Sequence, residues 1–453
     1  MRVSTPAPGT PAPFPEAQLT PVPQLALRTR AAIVLFVAAL FLPSVYFIGP
    51  VVLSPALLYL ALAFLPLLAF WLMGHAGPRL ATDMLVLAFA GWAFLTRFVQ
   101  LDVAAALEPA GVVLLQTAGA YIAGRVLAQN AAATRLVFAT AITGVALMLP
   151  FLLWESVTGA KPLLDVAALF GKTLLPTQMD PRWGFQRAQG VFEHPILLGM
   201  FVATLVSAAT FMFHGRRGRM MRWLAAPAVV LSAMTSLSTG ALLSMNIQFG
   251  LMLWNAVLRH VKKRWAILIW LVIALYVTAD LLSDRTPFHL FVDYATFSAQ
   301  SSYNRILIWQ YGSAAVMDSP LLGHVTDDWD RPAFMHASMD NFWLVIAYRY
   351  GLPGFALLAA AFILTIWRIA HHPDADEQGR DMRRAVIFSL VATMIAAVSV
   401  HLWNNSYIWL MFMLGAVAWM TRTDAGIAEC PSGSPADQQP TESRHARLRR
   451  LGF

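Results

Sequence analysis

Cysteine and charged residues are both scarce in this chain of 453 residues. Cys430 is its one cysteine, which excludes an internal disulfide framework and a thiolate metal cluster. Charged residues make up 12% of the sequence, whereas a soluble domain usually carries about 25%. Hydrophobic residues reach 58%. These proportions exclude an ordinary soluble globule and favour a polytopic membrane protein.

Long apolar runs occupy most of the chain. A helix needs about 20 apolar residues to span a bilayer, and the runs allow about 12 such helices. We therefore predict an all-α, polytopic membrane domain over residues 31–421. The predicted spans are 31–49, 51–73, 80–97, 103–126, 134–155, 194–213, 223–238, 240–258, 265–282, 341–367, 385–403 and 405–421. The Pro-rich segment 1–30 and the basic segment 422–453 are predicted to be disordered tails.

The net charge of +8 has an explanation that does not involve nucleic acid. If the N-terminus is cytoplasmic, most of the 32 Lys and Arg residues fall in short inside loops and the C-terminal tail. This bias predicts that both termini are cytoplasmic. Basic and aromatic residues do not interleave as they do in nucleic-acid binders, so we expect no nucleic-acid partner.

Two longer loops, 157–193 and 283–340, are predicted on the outer side of the membrane. Loops of this size on a rigid scaffold often carry binding or catalytic groups. The first contains Arg187 and ends at His194, where Pro195 suits the start of a helix whose N–H groups attract anions. Arg187 is thus a candidate phosphate ligand, although an arginine at a loop end often serves only solvation.

The second loop brings arginine, histidine and carboxylate groups to the same side. Arg305 offers a planar fork of donors to phosphate oxygens. Asp340 or His336 could accept a proton from a sugar hydroxyl, while Asp340 could instead cap the helix that follows. Arg349 lies well inside the run 341–367, where an ionisable group is functional or paired unless it snorkels to the interface.

Asp328 and Asp330 resemble the acidic pair that holds a divalent cation in some glycosyltransferases. Oxygen-only sites need several ligands, and no further carboxylate cluster accompanies this pair. We predict no metal site and no other cofactor.

Several motifs together resemble the O-antigen ligase and polysaccharide polymerase superfamily. They are residues 187–195, Arg305 with Trp309, residues 319–323, the pair Asp340 and Asn341, and residues 350–354. The resemblance covers roughly residues 30–421. It implies a lipid-dependent glycosyltransferase fold in the bacterial inner membrane, with both long loops in the periplasm.

The resemblance also implies a chemistry. The family transfers glycans from undecaprenyl diphosphate without a metal, and Arg187 and Arg305 match its diphosphate-binding arginines. His194, Asn341 and Arg349 are further substrate-binding candidates. We expect a metal-independent, inverting polymerase or ligase of exopolysaccharide or O-antigen, working with a chain-length regulator and export machinery.

The sequence departs from the ligase pattern at two positions. Asp340 stands where ligases often have a catalytic histidine, and Thr239 stands where they often have arginine. Asp has an unperturbed pKa of about 3.9 and is a weaker base than His at neutral pH, which keeps His336 as an alternative. Both departures favour a polymerase or a branch with another acceptor over a lipid A core ligase.

A lipid-linked oligosaccharide flippase is the alternative from a different class. Transporters of this size usually show two related halves and broken polar helices near the midplane. The halves of this chain differ in loop length and residue pattern, so the enzyme is the favoured interpretation.

Overall fold

Apolar sequence dictates helices here, because backbone groups in lipid must be bonded within their own segment. A computed structural model describes residues 25–48, 51–282, 299–326, 328–372 and 376–422, and it is mostly helical. The described residues up to Thr421 belong to one compact unit. Nearly all of the two predicted tails, and residues 283–298 of the second long loop, lie outside the described residues.

The described residues up to Ala168 form seven α-helices, one π-helical turn and one short hairpin. They are α1 (Leu27–Ala39), β1 (Tyr46–Ile48), β2 (Val51–Leu53), α2 (Pro55–Leu72), α3 (Ala81–Gln100), α4 (Val103–Leu114), a π-helical turn (Leu115–Gly119), α5 (Ala120–Leu127), α6 (Ala131–Thr158) and α7 (Pro162–Ala168). The strands pair antiparallel, with Tyr46 opposite Leu53.

The described residues after Ala168 form nine further α-helices and a 3₁₀ turn, joined by segments of varied length. The helices are α8 (Pro195–Ala203), α9 (Val206–Phe211), α10 (Gly215–Thr235), α11 (Thr239–Val257), α12 (Arg264–Leu282), α13 (Ala299–Asp318), α14 (Phe342–His371), α15 (Glu377–Ala396), α16 (Asn404–Ala416) and a 3₁₀ turn (Ala418–Thr421).

Six helices in the described part of the chain are long and apolar enough to cross a membrane. They are Pro55–Leu72, Ala81–Gln100, Val103–Leu127, Ala131–Thr158, Arg264–Leu282 and Phe342–His371. Each coincides with a predicted span. Other predicted spans are shorter or broken in the structure: α1 ends at Ala39 instead of continuing to residue 49, because Pro43 follows and the chain then turns into the hairpin.

Helix α16 lies at the centre of the unit. Every residue from Asn405 to Ala416 is buried, and the helix packs closely on α5. Two glycines permit this contact, since a Cβ on Gly124 would overlap the carbonyl oxygen of Phe412, and one on Gly415 would overlap that of Tyr121.

The turn that follows α13 packs against a kink in α14. Gly351 has φ 69° and ψ 177° inside the helix, a conformation that favours glycine. The freed N–H of Leu352 donates to the Pro320 carbonyl oxygen at 2.7 Å. A Cβ on Gly351 would overlap the Leu321 carbonyl oxygen. The two glycine motifs at 319–323 and 350–354 thus form one packing contact.

Candidate functional site: a cluster of arginines around Asp340

Arg187 is held by a segment that crosses the end of α6. The Glu155 carboxylate accepts hydrogen bonds from the backbone N–H groups of Gln189 (2.9 Å) and Gly190 (3.0 Å). The adjoining Arg187 is 6% exposed. Its Nε donates to the Ser236 carbonyl oxygen at 3.3 Å, which directs the guanidinium toward the turn between α10 and α11.

Arg182 reaches the same turn from a tight reversal of the chain. Backbone hydrogen bonds of 2.9 Å join Arg182 and Phe185 in both directions. Trp183 and Gly184 between them have φ of 53° and 81°, as both central residues of a type I′ turn do. The Arg182 Nη1 donates to the Leu237 carbonyl oxygen at 2.7 Å.

Arg305 and Asp340 complete the cluster from α13 and from the residues before α14. Arg305 Nε donates to the Ser399 carbonyl oxygen at 3.2 Å. Its buried Nη1 has no hydrogen-bond partner among the described residues. Asp340 immediately precedes Asn341, the N-cap of α14, and its carboxylate accepts a hydrogen bond from the Ser338 side chain.

Mutual electrostatic effects show that these four groups share one site. Burial and the charge of Arg182 lower the pKa of Arg187 to about 10, and Asp340 opposes that shift. Burial also lowers the pKa of Arg305, with Asp340 raising it and Arg182 lowering it. Burial raises the pKa of Asp340, while Arg305 and Arg187 lower it. We call Arg182, Arg187 and Arg305 the arginine cluster.

The arginine cluster carries more positive charge than its surroundings balance. Each guanidinium donates to a neutral backbone carbonyl, those of Leu237, Ser236 and Ser399. Asp340 is the carboxylate that perturbs both Arg187 and Arg305. Buried cations need a counter-charge, and arginine forks bind phosphate oxygens in particular. The geometry therefore suits an anion that carries about two negative charges.

Asn341 and His194 serve as helix caps in the structure. Asn341 is 3% exposed, and its Oδ1 accepts from the Leu344 N–H at 3.1 Å. His194 Nδ1 accepts from the Ile196 N–H at 3.1 Å. Both predicted ligands thus have a structural role at their helix ends.

His336 and Arg349 are two further neighbours of Asp340. His336 is exposed and its charge perturbs Asp340. Arg349 lines a cavity of about 500 Å³ together with Asp340, His401 and Trp403, which we call the Asp340 cavity. Asp340 thus belongs both to the neighbourhood of Arg187 and Arg305 and to the lining of this cavity.

An apolar groove of about 860 Å³ begins one helical turn beyond Arg305. It runs between α13, α14 and α15. Among its lining residues are Trp309, Met317, Trp343, Phe355, Phe362 and Ile363. Residues four apart share a helix face, so Arg305 and Trp309 place the groove beside the arginine cluster.

Arg182 is a site residue that sequence reasoning missed. Its Nη1 also lies 3.4 Å from Thr239 Oγ1, at the turn where the resemblance leads one to expect arginine. A guanidinium from the first long loop therefore reaches Thr239. Gly184 was the available signal, since glycine readily adopts the positive φ that a tight reversal needs.

Backbone strain concentrates around the same region. Among the described residues, the non-glycine residues with positive φ are Trp183, Leu237 and Asn404. Trp183 follows Arg182, Leu237 accepts its hydrogen bond, and Asn404 lines the Asp340 cavity. Such strain persists only where surrounding contacts enforce it and is concentrated at functional sites. Its distribution supports this region as the site.

Asp328, predicted to belong to no metal site, forms an ion pair with Arg331 at 2.6 Å. Among the described residues, no group of three His, Cys, Asp or Glu side chains is placed to hold a metal ion.

No family model matches the chain, and no curated protein matches its sequence. The assignment of function therefore depends on the residues and geometry of the site.

Proposed function

We propose that this protein is an inverting, metal-independent glycosyltransferase that polymerises or ligates a cell-surface polysaccharide. Its donor is a glycan linked to undecaprenyl diphosphate. In this proposal the chain has about 12 membrane spans, counting short and broken ones, in the bacterial inner membrane. Both termini are cytoplasmic, and the arginine cluster faces the periplasm. A chain-length regulator and export machinery are the expected partners.

The observation that carries the proposal is the arginine cluster beside the apolar groove. Three guanidinium groups with one nearby carboxylate suit a diphosphate. A groove of about 860 Å³ lined by aromatic and aliphatic side chains suits a long hydrocarbon chain. A polyprenyl diphosphate combines the two chemistries in one molecule, in the order in which α13 presents them.

The reaction requires a base and stabilisation of the leaving group. The acceptor oxygen forms a bond to the anomeric carbon, and the bond between that carbon and the phosphate oxygen breaks. The electron pair leaves with the diphosphate, whose growing charge Arg187 and Arg305 stabilise. Preorganised donors of this kind often contribute several kcal/mol. Attack opposite the leaving group inverts the anomeric centre.

Asp340 is the better placed of the two candidate bases. It borders both the arginine cluster and the Asp340 cavity, so it can face a donor and an acceptor at once. Burial raises its pKa, which makes the carboxylate a stronger base than an exposed aspartate. His336 is exposed, and in this proposal it is the alternative base.

The test is deletion of the gene in the producing bacterium, followed by analysis of its undecaprenyl-linked glycans. Single repeats on the outer leaflet indicate a polymerase, and long lipid-linked chains indicate a ligase. Repeats trapped on the inner leaflet would contradict the enzyme and support a flippase.

Complementation then tests the arginine cluster. Arg187→Ala should fail to restore the polysaccharide at wild-type protein levels. Arg331→Ala is the matched control, because Arg331 is paired with Asp328, whose side chain is exposed, and it should restore the polysaccharide. Full restoration by Arg187→Ala would argue against diphosphate binding by this cluster.

A further inference from the structure

The Asp340 cavity combines aromatic rings with a few polar groups. Its volume is about 500 Å³, within the range of ligand sites of a few hundred to about 1,000 Å³. Aromatic faces pack against the apolar faces of sugar rings, while polar neighbours select hydroxyl groups. Its lining includes Trp329, Tyr348, Trp403, Asp340, Arg349 and His401.

The Nδ1 of His401 is a buried polar atom that makes no hydrogen bond to any described residue. The imidazole stacks with two aromatic rings, with centroids 6.4 Å from Phe342 and 5.4 Å from Trp403, at interplanar angles of 23° and 24°. An unsatisfied buried polar atom costs stability, so its retention in a lined cavity points to a ligand.

The chemistry of the imidazole ring restricts the class of that ligand. A neutral imidazole offers one donor and one acceptor. Such a group suits a hydroxyl better than a phosphate, for which the arginine cluster offers charged donors.

The cavity also continues inward. A second space of about 270 Å³ shares Arg349, His401, Trp403 and Asn404 with it. Together the two spaces offer room for more than one sugar ring. Asn404 is fixed there by Glu193, whose oxygens accept from its Nδ2 at 2.6 and 2.8 Å, so the wall is rigid.

We infer that the Asp340 cavity is the acceptor subsite, in which Trp403 supports a sugar ring and His401 Nδ1 bonds a sugar hydroxyl. The inference rests on the proposed function. It assigns the acceptor to one side of Asp340 and the lipid diphosphate to the other, so the carboxylate lies between the two substrates. The ligand class is a neutral or weakly acidic oligosaccharide without lipid.

The experiment measures binding rather than turnover. The full chain is purified in lipid nanodiscs and titrated with the repeat-unit oligosaccharide of the strain's own polysaccharide, released from lipid by mild acid. His401→Phe keeps the aromatic stack and removes both ring nitrogens, and it should weaken binding about tenfold. His324→Phe is the matched control: His324 stacks on Tyr348 at 4.5 Å and bonds the Ala315 carbonyl oxygen, and its change should have less than a twofold effect.

A second pair of variants leaves the rings of His401, Phe342 and Trp403 unchanged. Ala337 is exposed and lines the cavity, so Ala337→Trp should block the cavity and abolish oligosaccharide binding. Ala333 is exposed in the same loop and lines a different space, so Ala333→Trp should bind as the wild type does.

Undecaprenyl diphosphate is titrated in parallel with the same proteins. Wild-type oligosaccharide affinity in His401→Phe and Ala337→Trp, beside normal lipid binding, would overturn the acceptor subsite and leave the proposed function in place. Failure of the wild type to bind undecaprenyl diphosphate would instead count against the proposed function.

Discussion

Two clusters of arginine and aspartate in this molecule look alike in sequence and differ in their chemistry. In the first, the Asp83 carboxylate accepts from Arg125 Nε at 2.7 Å, Arg125 Nη2 at 3.0 Å and the Tyr121 hydroxyl at 2.6 Å. The other Arg125 hydrogen bonds go to the carbonyl oxygens of Ala76 and Pro78, each at 3.0 Å. One charge of each sign is enclosed and bonded.

In the second group, the arginine cluster with Asp340, the charges are not balanced. Three arginines share the neighbourhood of Asp340, and the buried Nη1 of Arg305 has no partner within the described residues. The contrast shows how to separate a structural ion pair from a binding site. Balanced charge with satisfied donors indicates a structural ion pair, whereas several cations around one carboxylate, with an unsatisfied donor among them, indicate a binding site.

The largest expected effect comes from breaking the enclosed pair. Arg125→Ala leaves the buried Asp83 carboxylate without its counter-ion, which should lower the free energy of unfolding by about 3–5 kcal/mol. Denaturant unfolding of the purified protein in detergent measures this change. Arg182→Ala is the comparison and should change stability far less. Equal stability of Arg125→Ala and the wild type would contradict the structural role of the pair.

The second largest effect is expected at Arg182, the residue of the arginine cluster that the sequence did not predict. Arg182→Ala should reduce glycan transfer about 100-fold, since removal of one preorganised donor to a developing anion has effects of that size. Arg182→Lys should recover only part, because lysine cannot bond Leu237 and a phosphate with one planar fork. The rate is measured with a lipid-linked donor, and the control is Arg331→Ala. A wild-type rate in Arg182→Ala would remove Arg182 from the cluster.

A smaller effect concerns the pH profile. Asp340 acts as a base only when ionised, so activity should fall as pH decreases through its pKa, which burial raises and Arg305 lowers. Arg305→Ala removes a cation that favours the ionised form. The acid limb of the residual activity should therefore move upward, by about one pH unit. Rates measured across the pH range check this, and a downward or absent shift would exclude Asp340 as the titrating group.

The smallest effect concerns Asn341 and tests whether its side chain caps α14. Asn341→Ala should cost about 1 kcal/mol of stability, because the Leu344 N–H loses its acceptor. Asn341→Asp should restore most of it, since a carboxylate caps a helix equally well. Thermal unfolding of both variants gives the answer, and equal losses would mean that the cap contributes little.

The sequence alone was sufficient to predict the long helices and part of the arginine cluster. Hydropathy is a local property, so the six membrane-length helices coincide with predicted spans. Arg187, Arg305 and Asp340 were visible as charges in loops between apolar runs. Their convergence is a finding of the structure, and their roles remain predictions.

Other features depend on contacts between distant segments and could not be predicted. Arg182 matters because a type I′ turn carries it to Leu237. His401 matters because its ring stacks with those of Phe342 and Trp403, whereas the sequence shows only a histidine near the end of a predicted span. The early end of α1 likewise follows from the hairpin that replaces its last turns.

Helix α16 constrains the order in which the helices can pack. Its 13 residues extend about 20 Å, less than the hydrocarbon core of about 30 Å, and it begins with two asparagines and a serine. Such a segment is poorly suited to stand alone in lipid, yet α5 and α6 pack around it. The helices that precede α16 in the chain therefore lack their central packing partner until α16 has been synthesised.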